Sequence, residues 1–294
     1  MEYKSVDEMA KLWSLSERSV RNYCAQGRIE GARLAGKTWQ IPIDALKPSR
    51  KPKISNLLSV LKEEKARNLK GGIYHKTQVL LAYNSNHIEG SKLSEEQTRY
   101  IYETNTIGIS DKAVNIDDIN ETINHFKCFD YVIDNANVQL SEKMIKTLHK
   151  MLKNNTSDAN KTWFAVGDYK KLPNEIGGKE TCLPERVETE MKKLLDRYNK
   201  KIKKNLEDII EFHKLFENIH PFQDGNGRVG RLIMFKECLK YDIVPFIITD
   251  DLKYYYYRGL NEWDNEKGFL IDTCKFAQDQ YKKYLDYFRI SYQA

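Results

Sequence analysis

The stretch HPFQDGNGRVGR, residues 220–231, gathers a histidine, an acid, three glycines and two arginines into twelve positions. His220 is a side chain that can take a proton near neutral pH. Asp224 is a hard oxygen ligand of the kind that holds Mg²⁺ against phosphates. Gly225 and Gly227 let a backbone approach a ligand closely. Where such glycines open a helix, its unpaired N–H groups and partial positive charge form an anion cradle. Arg228 and Arg231 stand three apart, so they share a helix face and can reach one anion together. These residue types describe a site for nucleotide phosphates with a base beside it. The chemistry they imply is attack by a hydroxyl on a phosphorus atom.

Two helices must present this loop. LEDIIEFHKLFENIHPF places apolar residues at Leu206, Ile209, Ile210, Leu215, Phe216 and Ile219, the spacing of an amphipathic helix. RLIMFKECLKY predicts a second helix directly after the glycines. The cluster then lies between two helices, with its glycines at the N-terminus of the second.

At each specified position the stretch resembles the signature of the Fic family, HPFx(D/E)GNGRxxR, and the resemblance extends over most of residues 54–294. It implies an all-helical Fic fold with a β-hairpin flap, and transfer of AMP from ATP to a Ser, Thr or Tyr hydroxyl of a target protein, with release of pyrophosphate. By that resemblance His220 would be the general base and Phe222 the buried anchor of the loop. Asp224 would bind Mg²⁺. Gly225, Asn226 and Gly227 would form the anion hole, and Arg228 and Arg231 would hold the outer phosphates. Relatives that phosphorylate usually have Lys where this chain has Gly227, so the intact GNGR favours AMP transfer.

Three further segments fit. SNHIEG, residues 85–90, matches the family's inhibitory motif (S/T)xxxE(G/N). Ser85 and Glu89 are four apart on one helix face, and a carboxylate brought to Arg231 would take a phosphate's place. An inhibitory helix near residues 82–90 is therefore expected. WFAVGDYKKLPNEIGG, residues 163–178, alternates loosely and ends in Gly-Gly, which predicts a hairpin. The resemblance makes this a flap over the site, with Leu172, Pro173, Ile176 and Gly177 beside an added target strand. The family often has Arg after GxY, where this chain has Lys170. In DDLKYYYYRGLNEWDN, Tyr257 and Asn261 are the candidates to meet adenine. The histidines at 75, 87, 125, 149 and 213 form no ligand pattern and read as structural or surface residues.

Charge is distributed unevenly along the 294 residues. Residues 1–53 hold 11 Lys+Arg against 6 Asp+Glu, and the remainder 37 against 36, so nearly all of the net +6 lies in the head. A small basic head on a neutral body suits a polyanion. KPSRKPK closes the head and reads as a linker, which separates residues 1–50 from a domain spanning 51–294. In the head, Ser5 and Glu8 form a capping-box pattern ahead of Met9, Leu12 and Trp13. Ser16 can cap a second helix with Val20 and Tyr23 inward, and Gly27 stops it. RIEGARLAGKTWQIP then predicts a two-stranded hairpin. The head resembles the excisionase and MerR-type winged helix-turn-helix. Arg18, Ser19, Arg21 and Asn22, with Ser16, would face phosphates and base edges, and Arg33 and Lys37 would sit on the wing.

No run approaches the length of a membrane span, and MEYKSVDEMAKLW lacks the parts of a signal peptide. A cytoplasmic location is the expectation. Five cysteines without CxxC spacing read as buried thiols. The expected fold class is mainly α, with the small winged head in front. The leading reading is an autoinhibited protein adenylyltransferase that uses ATP and Mg²⁺, acts on another protein or on itself, and carries a DNA-binding module. Family resemblance is also compatible with a homodimer. Two alternatives stand beside it: a nucleotide-responsive transcription regulator without transfer activity, and an enzyme that removes AMP.

Overall fold

A computed structural model describes residues 2–25, 27–36, 38–48, 56–108 and 113–292. The chain divides into two compact units, Met1–Lys53 and Ile54–Ala294.

The first unit comprises β1 (Tyr3–Lys4), α1 (Val6–Trp13), α2 (Glu17–Ala25), β2 (Arg33–Ala35) and β3 (Thr38–Pro42). The Ser5–Glu8 capping box forms in both directions, which fixes the start of α1. Val6, Met9, Ala10 and Trp13 turn inward to meet Val20, Cys24, Ile29 and Ile41. Leu12, expected in the stripe, is 61% exposed instead. Ala10, one turn after Val6, takes the inward position, because a stripe through Val6, Met9 and Trp13 leaves residue 12 on the far edge. Ser19 N–H bonds to the Ser16 hydroxyl at 3.2 Å and so begins α2. The predicted hairpin is β2 on β3, from Arg33↔Gln40 to Ala35↔Thr38. A third strand, β1, joins it, giving the antiparallel order β1-β3-β2. Lys37, placed on the wing in the sequence reading, lies outside the described residues.

The second unit is mainly helical. Its elements are α3 (Asn56–Ala66), α4 (Ile73–Ile88), α5 (Glu95–Thr104), α6 (Ile116–Asp134), α7 (Glu142–Leu152), β4 (Glu175–Ile176), β5 (Lys179–Glu180), α8 (Pro184–Lys200), α9 (Leu206–Ile219), α10 (Asn226–Lys240), α11 (Lys253–Asn261) and α12 (Gly268–Tyr287). Every residue of α10 from Asn226 to Leu239 is buried. A helix enclosed on all sides is the axis of its unit, and α4, α6, α7 and α9 pack around α10. Val229, Leu232, Ile233 and Phe235 on α10 meet Phe129, Leu148, Phe216 and Tyr281 in the main core. Each such fully buried side chain contributes about 1.5–3 kcal/mol. Lys236 and Glu237, also on this buried helix, pair at 2.6 Å.

The hairpin is shorter and later than its alternation predicts. Residues 163–174 run through turns, and only Glu175↔Glu180 and Ile176↔Lys179 pair as strands. Leu172 and Pro173 therefore precede it, and Gly177 and Gly178 make its turn, both at positive φ. Among the described residues, no helix is long and apolar enough to cross a membrane.

Candidate active site

The motif begins where α9 ends. His220 caps that helix in the left-handed conformation at φ 49°, and its N–H bonds to Phe216 O. A non-glycine residue there is uncommon and costs energy, so the surroundings must hold it. They do so through the next residues. Phe222 is fully buried and stacks on the His149 ring, with centroids 4.0 Å apart. Asn226 closes the loop: its Oδ1 accepts from Phe222 N–H, and its Nδ2 donates to Phe222 O, both at 2.8 Å. The Asn226 side chain is thus a brace, and only its backbone is left for an anion. Gly225 sits at φ 84° and caps α10, a conformation that suits glycine.

His149 supports the loop at a second point. Its Nδ1 accepts from Gly167 N–H at 2.9 Å, so its Nε2 carries the proton and donates to Asp224 O at 3.1 Å. Read from sequence as merely structural, His149 is the floor on which the motif rests. The Met144, Ile145, Leu148 and Leu152 face of α7 was the available signal, since His149 lies on that buried side.

The two arginines of α10 face different partners. Arg228 donates to Glu121 through Nη1 and to Asp224 through Nη2, the latter at 2.9 Å. Lys153 lies beside them, buried, with Glu121 at 2.6 Å and Asp158 and Asp224 at 2.7 Å each. Two cations and three carboxylates thus form one network. Burial pushes the Asp224 carboxyl up, but Arg228 and Lys153 outweigh it and hold the group well below the usual carboxylate range. Asp224 stays ionised, and its side chain is 47% exposed. Among the described residues no group of three or more His, Cys, Asp or Glu gathers at a metal position. Mg²⁺ bound through one carboxylate and substrate phosphates needs no such group, so Asp224 fits that mode.

Arg231 turns the other way, toward α4. Its Nε donates to Ser85 Oγ at 3.0 Å, and its Nη2 donates to Ser85 O at 2.8 Å and to Glu89 Oε1 at 2.7 Å. Glu89 ends α4 as its C-cap. Its carboxylate lies directly over Gly227, where a Cβ would collide with Glu89 Oε1. The structure therefore joins the two sequence motifs, residues 85–89 and 220–231, at one guanidinium. Arg231 Nη1, Glu217 Oε1 and His220 Nδ1 are buried here without a hydrogen-bond partner among the described residues.

Burial, and then the charge of Lys170, push the His220 imidazole down to about 4. It is therefore a free base at neutral pH. Glu217, three residues earlier, goes the other way: burial and nearby Glu89 push it up to about 8. Its Oε2 lies 3.8 Å from His220 Nδ1. Glu217, Ile176 of the hairpin, Tyr257 and Asn261 line one cleft of about 260 Å³. Tyr257 and Asn261 thus face the cleft, as does Ile176. Leu172, Pro173 and Gly177 do not line it; Leu172 N–H instead bonds to Gln223 Oε1 of the motif at 3.3 Å. The four adjacent tyrosines separate in role: Tyr254 and Tyr255 are exposed, and Tyr256 is buried with its hydroxyl 2.6 Å from His213 Nε2.

Residues 139–238 match the model of the Fic/DOC family. Two curated proteins named protein adenylyltransferase Fic are similar: that of Drosophila willistoni, 28% identical over 212 residues, and that of Nematostella vectensis, 28% identical over 188. The alignments cover 69% and 61% of this chain, but 40% and 42% of those proteins. The chain thus spans less than half the length of these relatives. Among solved structures, a Fic domain containing signaling protein from Bacteroides thetaiotaomicron is 22% identical with TM-score 0.62, covering 79% of this chain and 94% of that one. A Fic family protein from Desulfovibrio desulfuricans is 23% identical with TM-score 0.60, covering 81% and 76%. The likeness shows a shared, mainly helical fold. Ser85, Glu89 and the first unit lie outside the 139–238 match.

Proposed function

We propose that this chain is a protein adenylyltransferase, held off by its own Glu89, with a DNA-binding first unit. The observation that carries the reading is the meeting of a neutral His220, its Nδ1 without a hydrogen-bond partner among the described residues, with a glycine-opened helix end whose Arg231 is occupied by a carboxylate.

In the proposed reaction the target's Ser, Thr or Tyr hydroxyl gives its proton to His220 as its oxygen attacks the α-phosphorus of ATP. A new P–O bond forms, the bond to the bridging oxygen breaks, and pyrophosphate leaves with its charge on the outer phosphates. Backbone N–H groups at Gly225, Asn226 and Gly227 meet the developing charge, as preorganised donors do in other anion holes. Arg231 would hold the outer phosphates once Glu89 withdraws. Asp224 would hold Mg²⁺, which supplies charge neutralisation to the phosphates. Tyr257 and Asn261 would flank the base, and the β4–β5 edge would accept an extended target segment.

In the first unit, Arg18, Arg21 and Asn22 are exposed on α2, with Ser19 half-buried beside them. Arg33 lies on β2, where it bonds Gln40 and covers the Tyr3 ring. With the net +5 of residues 1–53, this surface supports phosphate and base-edge contacts by α2.

The test is transfer of α-phosphate-labelled ATP to protein, in lysate and by the purified chain, with wild type, Glu89→Gly, and Glu89→Gly combined with His220→Ala. Strong labelling in the single variant alone supports the reading. Labelling equal in wild type and Glu89→Gly removes the inhibition. ATP binding without labelling in any variant favours a nucleotide-responsive regulator, and AMP release by wild type alone favours AMP removal.

A further inference from the structure

Lys170 connects two parts that the motif does not name. Its side chain is 3% exposed, and its Nζ has three protons to place. Three oxygens receive them: Asn174 Oδ1 at 2.7 Å, Thr181 Oγ1 at 2.6 Å and Ile219 O at 3.4 Å. Asn174 immediately precedes β4, and Thr181 immediately follows β5. The Lys170 N–H meanwhile donates to Pro221 O at 2.8 Å. Ile219 and Pro221 are the two neighbours of His220. One residue therefore grips both ends of the hairpin and both sides of the histidine. Asn174 adds a parallel tie, from its Nδ2 to Phe222 O at 3.1 Å.

All three acceptors are neutral. A buried ammonium without a counter-ion is costly, so simple packing does not account for a lysine here. We infer that Lys170 is a positioning residue that makes the hairpin and the His220 turn one mechanical unit, so that docking a target segment on the hairpin edge also aligns the base. This rests on reading His220 as the base and the hairpin as the target-binding edge. It adds the coupling between them.

The charge has a second effect consistent with the geometry. Glu89 and Asp224 favour protonation of His220, and Glu217 lies close by. Lys170 is the cation opposing them, itself pushed down by burial to about 8. It helps to keep the imidazole free.

The test uses the full chain with Lys170→Met, Lys170→Arg and Thr181→Val. Hydrogen exchange is followed over residues 174–182 and 216–222. The His220 titration is followed by NMR on ring-labelled histidine, assigned by loss of the signal in His220→Ala. In Lys170→Met both segments should exchange about tenfold faster together, and His220 should titrate at higher pH. Lys170→Arg should restore both. Thr181→Val cuts the Lys170 arm to the hairpin's far end, together with the Thr181 hydroxyl's own bond to Asn174 Oδ1 at 2.6 Å, and keeps the amine, so the hairpin should loosen with little change at His220. If Lys170→Met loosens the hairpin while residues 216–222 and the titration stay as in wild type, the residue only supports the hairpin and the inference fails. No change in either segment also overturns it. Should Lys170→Met not fold, Thr181→Val and Lys170→Arg decide the matter: a hairpin as protected in Thr181→Val as in wild type overturns the tether. None of these readouts needs AMP transfer, so their failure is separate from failure of the proposed activity.

Discussion

Replacing Glu89 by Gly should destabilise the second unit and make it depend on nucleotide. Arg231 is 3% exposed and has its Nη2 2.7 Å from Glu89 Oε1. Removing one partner of a buried ion pair typically costs about 3–5 kcal/mol, because the other charge is left unpaired. Glu89 keeps 26% exposure, and Ser85 retains two bonds to Arg231. The loss therefore belongs at the low end, about 3 kcal/mol. In a unit of this size that lowers Tm by about 6–12 °C. Glu89→Gln, which keeps the shape and one hydrogen bond, should cost less.

A phosphate at Arg231 would replace the missing carboxylate. ATP at about a hundred times its Kd contributes about 2.7 kcal/mol, so it should return most of the deficit in Glu89→Gly. The wild type should gain less, since its own carboxylate already occupies Arg231. Differential scanning calorimetry of the larger unit, with and without Mg²⁺–ATP, reads both effects. A wild-type Tm in Glu89→Gly, or an equal ATP shift in the two proteins, would refute competition between Glu89 and phosphate.

His220→Ala in the Glu89→Gly background should lower transfer by about 10²–10⁴-fold, while ATP binding by calorimetry stays within a small factor; lost ATP binding would make His220 a ligand contact. Gly227→Ala should lower ATP affinity even without Glu89, because its Cβ would also stand 2.8 Å from Arg231 Nη1. Labelling by Gly227→Ala alone, as strong as by Glu89→Gly, would mean that the open space serves only the inhibitory contact. Acid should weaken the fold: burial pushes His125 and His213 down to about 3 from 6.5. The unfolded chain then takes up those protons first, so the stability is present above about pH 6.5 and is lost as pH falls toward about 3; a denaturant midpoint that stays flat from pH 6.5 to 4 contradicts this. Arg18→Ala should weaken DNA binding and reduce the salt slope by about 1 if it contacts a phosphate, and an unchanged slope in gel-shift titrations removes that contact.

The motif was legible because its chemistry is local. Histidine, carboxylate, glycines and arginines sit within twelve positions, and one turn between two helices gathers them, while distant residues such as His149 and Lys170 brace the turn. Ser85 and Glu89 were legible as a pattern, although their contact with Arg231 spans more than a hundred residues. Glu121, Lys153 and Asp158 were not legible. Glu121 on α6 and Lys153 at the end of α7 are charges on helices where charges usually face water, and packing of those helices on α10 turns them inward, while Asp158 reaches Lys153 from a short turn after α7. The β1 strand, two residues long, is too short to show alternation. Residues 163–174 alternate in type, yet tertiary bonds such as those of Lys170 and Leu172 hold them in turns. The wider first-unit fold was read from caps and glycines, and Leu12 departed because apolar type alone does not say which side of a stripe a residue takes.

Equal spacing on α10 does not make the two arginines equivalent. Arg228 is already committed: Glu121 and Asp224 take its two terminal nitrogens, and Lys153 binds the same carboxylates. Moving it toward a phosphate would leave Glu121 and Asp224 to Lys153 alone, so it serves first to fix Asp224. Arg231 has a free Nη1 and one carboxylate partner supplied by a helix end. Glu89 holds Arg231 through its side chain alone, while its backbone N–H stays bonded to Asn86 O at 3.1 Å, so in the proposed reading the carboxylate would withdraw without breaking a backbone bond of α4. One arginine thus builds the rigid side of the site and the other its exchangeable side. In the proposed reading a phosphate would compete with Glu89 for Arg231, displacing a single ion pair at the end of α4.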